Sequence, residues 1–332
     1  MRWLDSEVAI SVASALAEST KSQYKGAEEI LLLFCLFICG SAVFLPVSDH
    51  LLCRYLQWKS LTVDPKSLKT SLSAVRFLHE RLGHGWTPIT ERFKVHRCLM
   101  GLKRRCCTPV KRKMAITPAL LVQMRLCETI DWTHPWMVVM WGAMLMAFFC
   151  FLRKDNFTVQ KAEAYNYQRH LARGDVQVSP TQLRLTLRHS KTNQFGAREH
   201  VALALAIPGS LLDPHQAVVQ AFAVCPRASA LDPAFAVPSA TGGRPTPLTH
   251  HMFMSMLRKC LLEIGVDASQ YSGHSFRRGG ATFAFRLGIH PLDIKRMGDW
   301  SSDAYMLYVE LQTPEGLVRL PRALAAACAA YE

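Results

Sequence analysis

The sequence predicts a mainly α-helical fold with one small antiparallel β-sheet, divided between two domains. Up to about residue 110, the segments with a clear apolar pattern have the period of a helix. Segments with the period of a strand are confined to residues 175–205, and helical segments return after residue 249. Because 332 residues exceed what one hydrophobic core usually supports, we expect a helical domain over residues 1–110 and an α/β domain over residues 111–332.

The first domain is expected to be a small bundle of helices joined by short turns. Capping side chains mark the helix starts, and glycines mark the ends. Three helices follow: one from Ser19-Thr20 to Cys39, one over His50–Lys59 capped by Ser48-Asp49, and one over Ser67–Leu82 closed by Gly83 and Gly85.

The second domain is expected to begin with a helix at Thr117-Pro118, because proline is favoured in the first turn. The segments that follow are an apolar helix over Trp136–Leu152, strands at Asp175–Val178, Leu183–Leu187 and Val201–Leu205, a proline-rich loop over Cys225–Pro247, and helices at Thr249–Ile264, Ser275–Leu287, before Gly298 and from Ser302 onward.

The chain is strongly basic, with 39 Lys and Arg against 25 Asp and Glu and a formal net charge of +14. A surplus of this size favours a polyanionic partner, either a nucleic acid or an anionic membrane surface. The 11 cysteines are scattered and odd in number, without the paired spacing of a zinc site. This pattern indicates a reducing compartment and no structural metal.

Two uncharged stretches, residues 30–47 and 136–152, approach the length that spans a bilayer. The first is interrupted by Gly40 and Pro46, and the second runs directly into Arg153 and Lys154. Buried core helices explain both stretches, and membrane insertion is the less favoured alternative.

Two basic clusters lie near the predicted domain boundary. Between Arg92 and Cys127 there are ten Lys or Arg and no Asp or Glu. A solvated basic face is one explanation, but two clusters so close together favour an inter-domain linker that follows a phosphate backbone. The candidate DNA-binding residues are Lys103, Arg104, Arg105, Lys111, Arg112 and Lys113.

Residues 272–310 carry the most chemical information. His274 and Arg277 share a helix face because they are three residues apart. That spacing is weak evidence by itself, since His170 and Arg173 repeat it. Here it opens an ordered series: HSFRRGG, then GDW ending at Trp300, then Tyr308 eight residues after the tryptophan.

This ordered series resembles the C-terminal motif of the tyrosine recombinases, the phage-integrase-like family. It looks closest to the members carried by Crypton transposons and DIRS-type retrotransposons. The family places one arginine after a long buried helix and a lysine after the second strand of a small sheet. Arg153 in MAFFCFLRKDNF and Lys191 in LRLTLRHSKTNQFG fit those two places. One departure is Asn156, which stands where family members commonly carry an acidic residue.

The resemblance implies a catalytic set of Arg153, Lys191, His274, Arg277, Trp300 and Tyr308. The two guanidiniums would hold the non-bridging phosphate oxygens, and the tryptophan would contact the same phosphate. His274 would accept the proton of the Tyr308 phenol, and Lys191 would protonate the leaving 5′ oxygen. The product is a 3′-phosphotyrosine, and neither ATP, metal nor another cofactor is needed. Tyr305 is the rival nucleophile, but it shortens the spacing from Trp300 to five residues.

The resemblance also implies that residues 1–110 form a core-binding domain and that the two domains clamp double-stranded DNA. It implies a homo-tetramer acting on two DNA sites, with residues 322–332 forming either a helix passed to a neighbour or a frayed terminal helix. The protein would be nuclear in a eukaryote and cytoplasmic otherwise. The alternatives are a catalytically silent DNA-binding protein derived from a recombinase and a type IB topoisomerase, a family that usually has His at the position of Trp300.

Overall fold

The computed structural model describes residues 2–41, 44–65, 67–106, 112–190, 193, 198–226, 229–239 and 243–307. The chain divides into two compact units, Met1–Lys111 and Arg112–Glu332. Helices make up most of the first unit and are the main regular elements of the second, where the described strands also lie. The predicted class, mainly α with a small antiparallel sheet, is confirmed.

The first unit is helical and has its own hydrophobic core. Its helices are α1 (Arg2–Ser14), α2 (Glu18–Cys39), α3 (Asp49–Lys59), α4 (Leu68–Arg81) and α5 (Phe93–Cys106). Helix α2 packs on α4, and α3 packs on α5. At the centre the rings of Phe34 and Tyr55 meet edge to face, with centroids 5.4 Å apart. Burying these rings and the leucines around them is what holds the helices together.

Helix α2 begins at Glu18, one residue before the predicted capping pair. The residue at its N-cap is Ala17, which makes no side-chain cap, so the prediction of Ser19-Thr20 as the cap is wrong. The Ala17 carbonyl instead accepts the Thr20 N–H at 2.8 Å. The predicted end at Cys39 is confirmed, and Gly40 follows it with φ 71°, a conformation that favours glycine.

The basic stretch after Arg92 is mostly helix rather than linker. Helix α5 runs from Phe93 to Cys106 and buries an apolar stripe of Val95, Leu99 and Leu102. This stripe anchors the segment in the core of the first unit, so the linker interpretation is wrong for residues 93–106. Lys103, Arg104 and Arg105 form the last turn of α5. Lys111 lies outside the described residues.

The second unit is organised around one almost fully buried helix, α7. Its helices are α6 (Pro118–Leu126), α7 (Pro135–Phe149), α8 (Lys154–Phe157), α9 (Pro214–Val224), α10 (His250–Glu263), α11 (Ser275–Arg286) and α12 (Pro291–Met297), with short 3-10 turns that include Asp303–Leu307. Helix α7 packs against α9 and α11. Within the ranges given above, no helix is both long and apolar enough to span a membrane.

A three-stranded antiparallel sheet covers part of this core. Its strands are β1 (Val176–Ser179), β2 (Gln182–Leu187) and β3 (His200–Leu205), in that order. Leu183 and Leu185 of β2 are buried as their spacing predicts, and they pair with Ala204 and Ala202 of β3. Directly paired residues face the same side of a sheet, so the alanines are buried and the larger apolar residues of β3 are exposed.

Two elements were not predicted from the sequence: helix α9 and a small antiparallel ribbon formed by β4 (Ala236–Val237) and β5 (Thr246–Pro247). Helix α9 starts at Pro214, and the Asp213 carboxylate caps it by accepting the N–H groups of His215 and Gln216. The prediction of a loop over Cys225–Pro247 is therefore wrong in part. Residues 236–237 pair with residues 246–247, and Ala236 and Val237 are buried.

Candidate active site

Arg153 stands at the turn between α7 and α8, where a reciprocal pair of hydrogen bonds fixes its backbone. The Arg153 N–H donates to the side-chain oxygen of Asn156 at 2.9 Å. The Asn156 N–H donates back to the Arg153 carbonyl at 2.8 Å. Asn156 is buried. Its amide oxygen accepts the Arg153 N–H, and a carboxylate oxygen could accept the same hydrogen bond. The departure from the family pattern therefore leaves the Arg153 backbone held in place.

The neighbouring residue, Asp155, pairs with one imidazole and one ammonium group. His250 donates from Nε2 to Asp155 at 3.1 Å, and the Lys154 ammonium contacts the same oxygen at 3.0 Å. The hydrogen bond from His250, followed by the influence of Lys154, lowers the pKa of Asp155. Asp155 is thus a carboxylate held in its charged form beside Arg153.

Arg277 is held by contacts on several sides. Its side chain is buried, and its two terminal nitrogens donate to the carbonyls of Phe151 and Gly298, each at 2.5 Å. The guanidinium carbon lies 3.7 Å from the centroid of the Trp300 ring. Two hydrogen bonds and one stacking face hold the guanidinium in a single position, which is the preorganisation that anion stabilisation requires.

The glycine pair after Arg277 explains how α11 comes so close to the end of α7. A Cβ at Gly279 would collide with the carbonyl oxygen of Ile116. A Cβ at Gly280 would collide with the carbonyl oxygen of Phe148. Only glycine lets the helix backbone approach in this way, and the approach brings Arg277 within reach of Phe151.

Both carbonyls that anchor Arg277 belong to turns with unusual backbone conformations. Phe151 has φ 49°, and Asp299, which follows Gly298, has φ 52°. A Cβ at Gly298 would collide with the Trp300 ring. Left-handed conformations at non-glycine residues carry an energetic cost and are concentrated at functional sites.

His274 is the N-cap residue of α11 and is exposed. Desolvation of its ring lowers the pKa of His274 below the usual value. The charge of Asp155 opposes this shift, whereas Lys154, Arg277 and Arg153 reinforce it. The lowered pKa favours the neutral ring, which is the form that can accept a proton.

These side chains form one constellation in the second unit. Arg153, Arg277, Ser190 and Asp299 line the same small cavity, and the charges of both arginines act on His274. Four of the six predicted catalytic residues, Arg153, His274, Arg277 and Trp300, are thus brought together by the fold. Lys191 and Tyr308 lie outside the described residues.

The surroundings of Trp300 and Tyr305 refine two predictions. Trp300 is buried and stacks on Arg277, so in this structure its ring supports the arginine. Tyr305 is 5% exposed and packs against Trp300 with ring centroids 6.1 Å apart. A side chain enclosed in this cluster with Phe151 and Ile294 has the surroundings of a core residue.

The candidate DNA-binding residues fall in two places. Arg104 and Arg105 are exposed on the last turn of α5 in the first unit, and Lys103 beside them is half-buried. Arg112 and Lys113 are exposed at the start of the second unit, where Lys113 donates to the Ser269 carbonyl at 2.6 Å. Their contact with DNA stays a prediction.

The supporting residues of the site were not predicted from the sequence. Phe151 and His250 carry no motif that would single them out. Asp299 is visible in the GDW motif, and aspartate is one of the few residues that tolerate a left-handed backbone. Its partners, Ser190 and Arg198, lie in the connection between β2 and β3 and cannot be read from the motif.

No protein-family model and no curated protein matches the chain. Solved structures do match over nearly its whole length. A lambda integrase dimer bound to a COC′ core site is 13% identical, with 95% of this chain and 96% of that chain covered and a TM-score of 0.59.

The Tn1549 transposon integrase in complex with transposon right end DNA is 12% identical, with 96% and 98% covered and a TM-score of 0.59. The chain has the tyrosine recombinase fold. A third match, the XerH site-specific recombinase bound to a palindromic difH substrate, is 10% identical, with 86% and 76% covered and a TM-score of 0.57. At these identities the likeness establishes the fold alone.

Proposed function

We propose that this chain is a site-specific tyrosine recombinase, or integrase, that cleaves and rejoins DNA strands through a 3′-phosphotyrosine on Tyr308. One observation carries the proposal: the fold brings Arg153, His274, Arg277 and Trp300 into one constellation of the kind that the sequence motif predicts. The fold it shares with DNA-bound recombinases and integrases supports the same function.

The two arginines stabilise the charge that builds on the phosphate during attack. In-line displacement places negative charge on the non-bridging oxygens, and planar guanidiniums match the geometry of those oxygens. Arg277 is already fixed by the Phe151 and Gly298 carbonyls, so it need not reorganise as the charge develops. Removing one preorganised donor of this kind costs about 10²–10³ in rate.

Two further residues move the protons. The neutral ring of His274 accepts the proton of the Tyr308 phenol, whose ordinary pKa of about 10 makes the phenol a poor nucleophile while it is protonated. Lys191 supplies the proton that the leaving 5′ oxygen needs. The phosphodiester bond energy is kept in the phosphotyrosine, so a 5′ hydroxyl of another strand reverses the step, and the proposed chemistry uses no ATP and no metal ion.

The proposed partner is double-stranded DNA, which suits a formal net charge of +14. The first unit would serve as the core-binding domain, the two units would clamp the duplex, and the protein would act as a homo-tetramer on two sites. The wording of the motif, HSFRRGG with GDW, supports an origin in a Crypton- or DIRS-type mobile element. Such an element would place the protein in the nucleus.

The test is covalent trapping on DNA whose cleavage cannot be reversed. The full chain is incubated with EDTA and a labelled pool of duplexes of randomised sequence. Each duplex carries a nick. Cleavage close to the nick releases a short fragment with a 5′ hydroxyl, and without this fragment the strand cannot be rejoined. We expect labelled DNA to remain attached to the protein on a denaturing gel. A protein that binds the pool but forms no adduct would be the catalytically silent alternative, and adducts that require Mg²⁺ would contradict the mechanism.

A further inference from the structure

Asp299 is a buried carboxylate that joins two parts of the second unit. The residue is 6% exposed and adopts φ 52° between Gly298 and Trp300. One carboxylate oxygen accepts the Ser190 hydroxyl at 2.9 Å, and the other accepts an Arg198 N–H. Burying a carboxylate is costly unless it is paired, and a left-handed backbone adds to that cost. Both costs fall on one residue whose bonds reach the connection between β2 and β3.

The described residues of that connection are themselves tied together. Ser190 and Asn193 bond to each other through their backbones at 3.0 and 3.3 Å. The buried Asn193 side chain donates to the carbonyls of Arg188 and Arg198. A ring nitrogen of His200, at the start of β3, lies 3.1 Å from the Met297 carbonyl. The ends of β2 and β3 are thus fastened to the segment that carries Gly298 and Trp300.

We infer that Asp299 is a positioning residue for Lys191, the proton donor of the proposed reaction. Lys191 follows Ser190 directly in the sequence, and consecutive Cα atoms are about 3.8 Å apart. Holding Ser190 therefore holds the residue to which Lys191 is directly joined. Asp299 also adjoins Gly298, whose carbonyl anchors Arg277. One carboxylate accordingly ties the chain neighbour of the proposed proton donor to the turn that anchors the arginine. This inference rests on the proposed function.

The leaving group gives a readout that separates positioning from folding. In the normal step the Tyr308 oxygen bonds to phosphorus, the bond from phosphorus to the 5′ oxygen breaks, and that oxygen takes a proton from the Lys191 ammonium. When sulfur replaces the bridging 5′ oxygen, the leaving group departs as a thiolate and needs no proton. A defect in proton donation is rescued by this substrate, whereas a defect in phosphate binding or folding is not.

The experiment compares Asp299→Asn with the wild type on nicked duplexes with either a 5′-oxygen or a 5′-sulfur leaving group. Asparagine has the same shape and tolerates a left-handed backbone, but it carries no charge to pair with Arg198, and its single amide oxygen cannot accept from both Ser190 and Arg198. The references are Lys191→Ala and Arg277→Lys. Asp293→Asn is the control, because Asp293 is an exposed carboxylate 3.8 Å from Arg296 on α12.

We expect Asp299→Asn to slow cleavage of the oxygen substrate about tenfold or more, part of the roughly 10²–10⁴ that a proton donor contributes. On the sulfur substrate Asp299→Asn and Lys191→Ala should both return to within a few-fold of the wild type, whereas Arg277→Lys stays slow. Equal slowing of Asp299→Asn on both substrates, or no slowing on either, would overturn the inference while the wild-type adduct still supports the proposed function. A wild type that forms no adduct on either substrate contradicts the proposed function itself and this inference with it.

Discussion

The guanidinium of Arg277 lies 3.7 Å from the centre of the Trp300 ring and donates hydrogen bonds to the carbonyls of Phe151 and Gly298. The contacts come from two segments: the end of α7, and the turn after α12 that carries both Gly298 and Trp300. The arginine therefore depends on the packing of both segments.

Replacing Trp300 with alanine should destabilise the second unit and weaken cleavage. The change removes the face on which Arg277 stacks and leaves a cavity beside Phe151 and Tyr305, at a cost of about 3–5 kcal/mol. Trp300→Phe keeps an aromatic face and should cost less. Urea unfolding measures both variants, with Trp3→Ala, whose side chain is 70% exposed, as the control. Equal midpoints for Trp300→Ala and the wild type would rule out a supporting role for the ring.

Asn156 should be replaceable by aspartate but not by alanine. An aspartate oxygen can accept the Arg153 N–H as the amide does, whereas Asn156→Ala loses a capping bond that contributes about 0.5–2 kcal/mol. Adduct yield and unfolding free energy are measured for both variants. Asn166→Ala, which removes a comparable bond to the Gln168 N–H on an exposed loop, should leave the adduct yield unchanged. If Asn156→Ala behaves like Asn166→Ala, the cap does not hold Arg153.

The pattern of correct and wrong predictions has physical causes. The N-terminal starts of α3, α6 and α10 could be predicted because Ser48, Thr117 and Thr249 act as local N-caps. The buried face of β3 could not, because alanine and larger apolar residues alternate along it, and the pairing with β2 selects the alanines. Helix α9 could have been predicted from Asp213 and Pro214, which form a local start signal.

Within the candidate site, the motif located the residues but not the contacts that hold them. Arg153, His274 and Arg277 follow from spacing and resemblance. The partners of Arg277 are two backbone carbonyls, which carry no side-chain signature. Charge alone predicts a linker for the basic clusters, since it does not reveal that Val95, Leu99 and Leu102 anchor the helix of the first cluster in a core.

The acid limb of the pH–rate profile, where cleavage slows as the pH falls, should lie below the ordinary histidine pKa. Desolvation lowers the pKa of His274, so the ring stays neutral, and active as a base, as the pH falls past about 6.5. The rate should drop only at more acidic pH, and His274→Gln should remove this dependence. Because Asp155 raises the pKa of His274, Asp155→Asn should move the limb to lower pH. An unmoved limb in Asp155→Asn, with Asp293→Asn as the control, would argue against His274 as the proton acceptor.

Replacing Lys103, Arg104 and Arg105 with alanine should reduce the salt dependence of DNA binding. Each phosphate contact releases counterions, so the slope of log affinity against log salt should flatten by about two to three units. Binding should weaken equally on unrelated duplexes, because phosphate contacts do not read bases. Arg76→Ala, which removes an exposed arginine paired with Glu80 at 2.9 Å, is the control. An unchanged slope in the triple variant would mean that this turn of α5 is only a solvated face.

Covalent attachment of Tyr308 to DNA is the step on which the proposed function depends. It is measured by trapping on nicked duplexes with the wild type, Tyr308→Phe and Tyr305→Phe, followed by mass spectrometry of the peptide that carries the nucleotide. We expect an adduct in the wild type and in a folded Tyr305→Phe, none in Tyr308→Phe despite retained DNA binding, and the nucleotide on Tyr308. An adduct that persists in Tyr308→Phe, or a nucleotide mapped to Tyr305, would contradict this expectation.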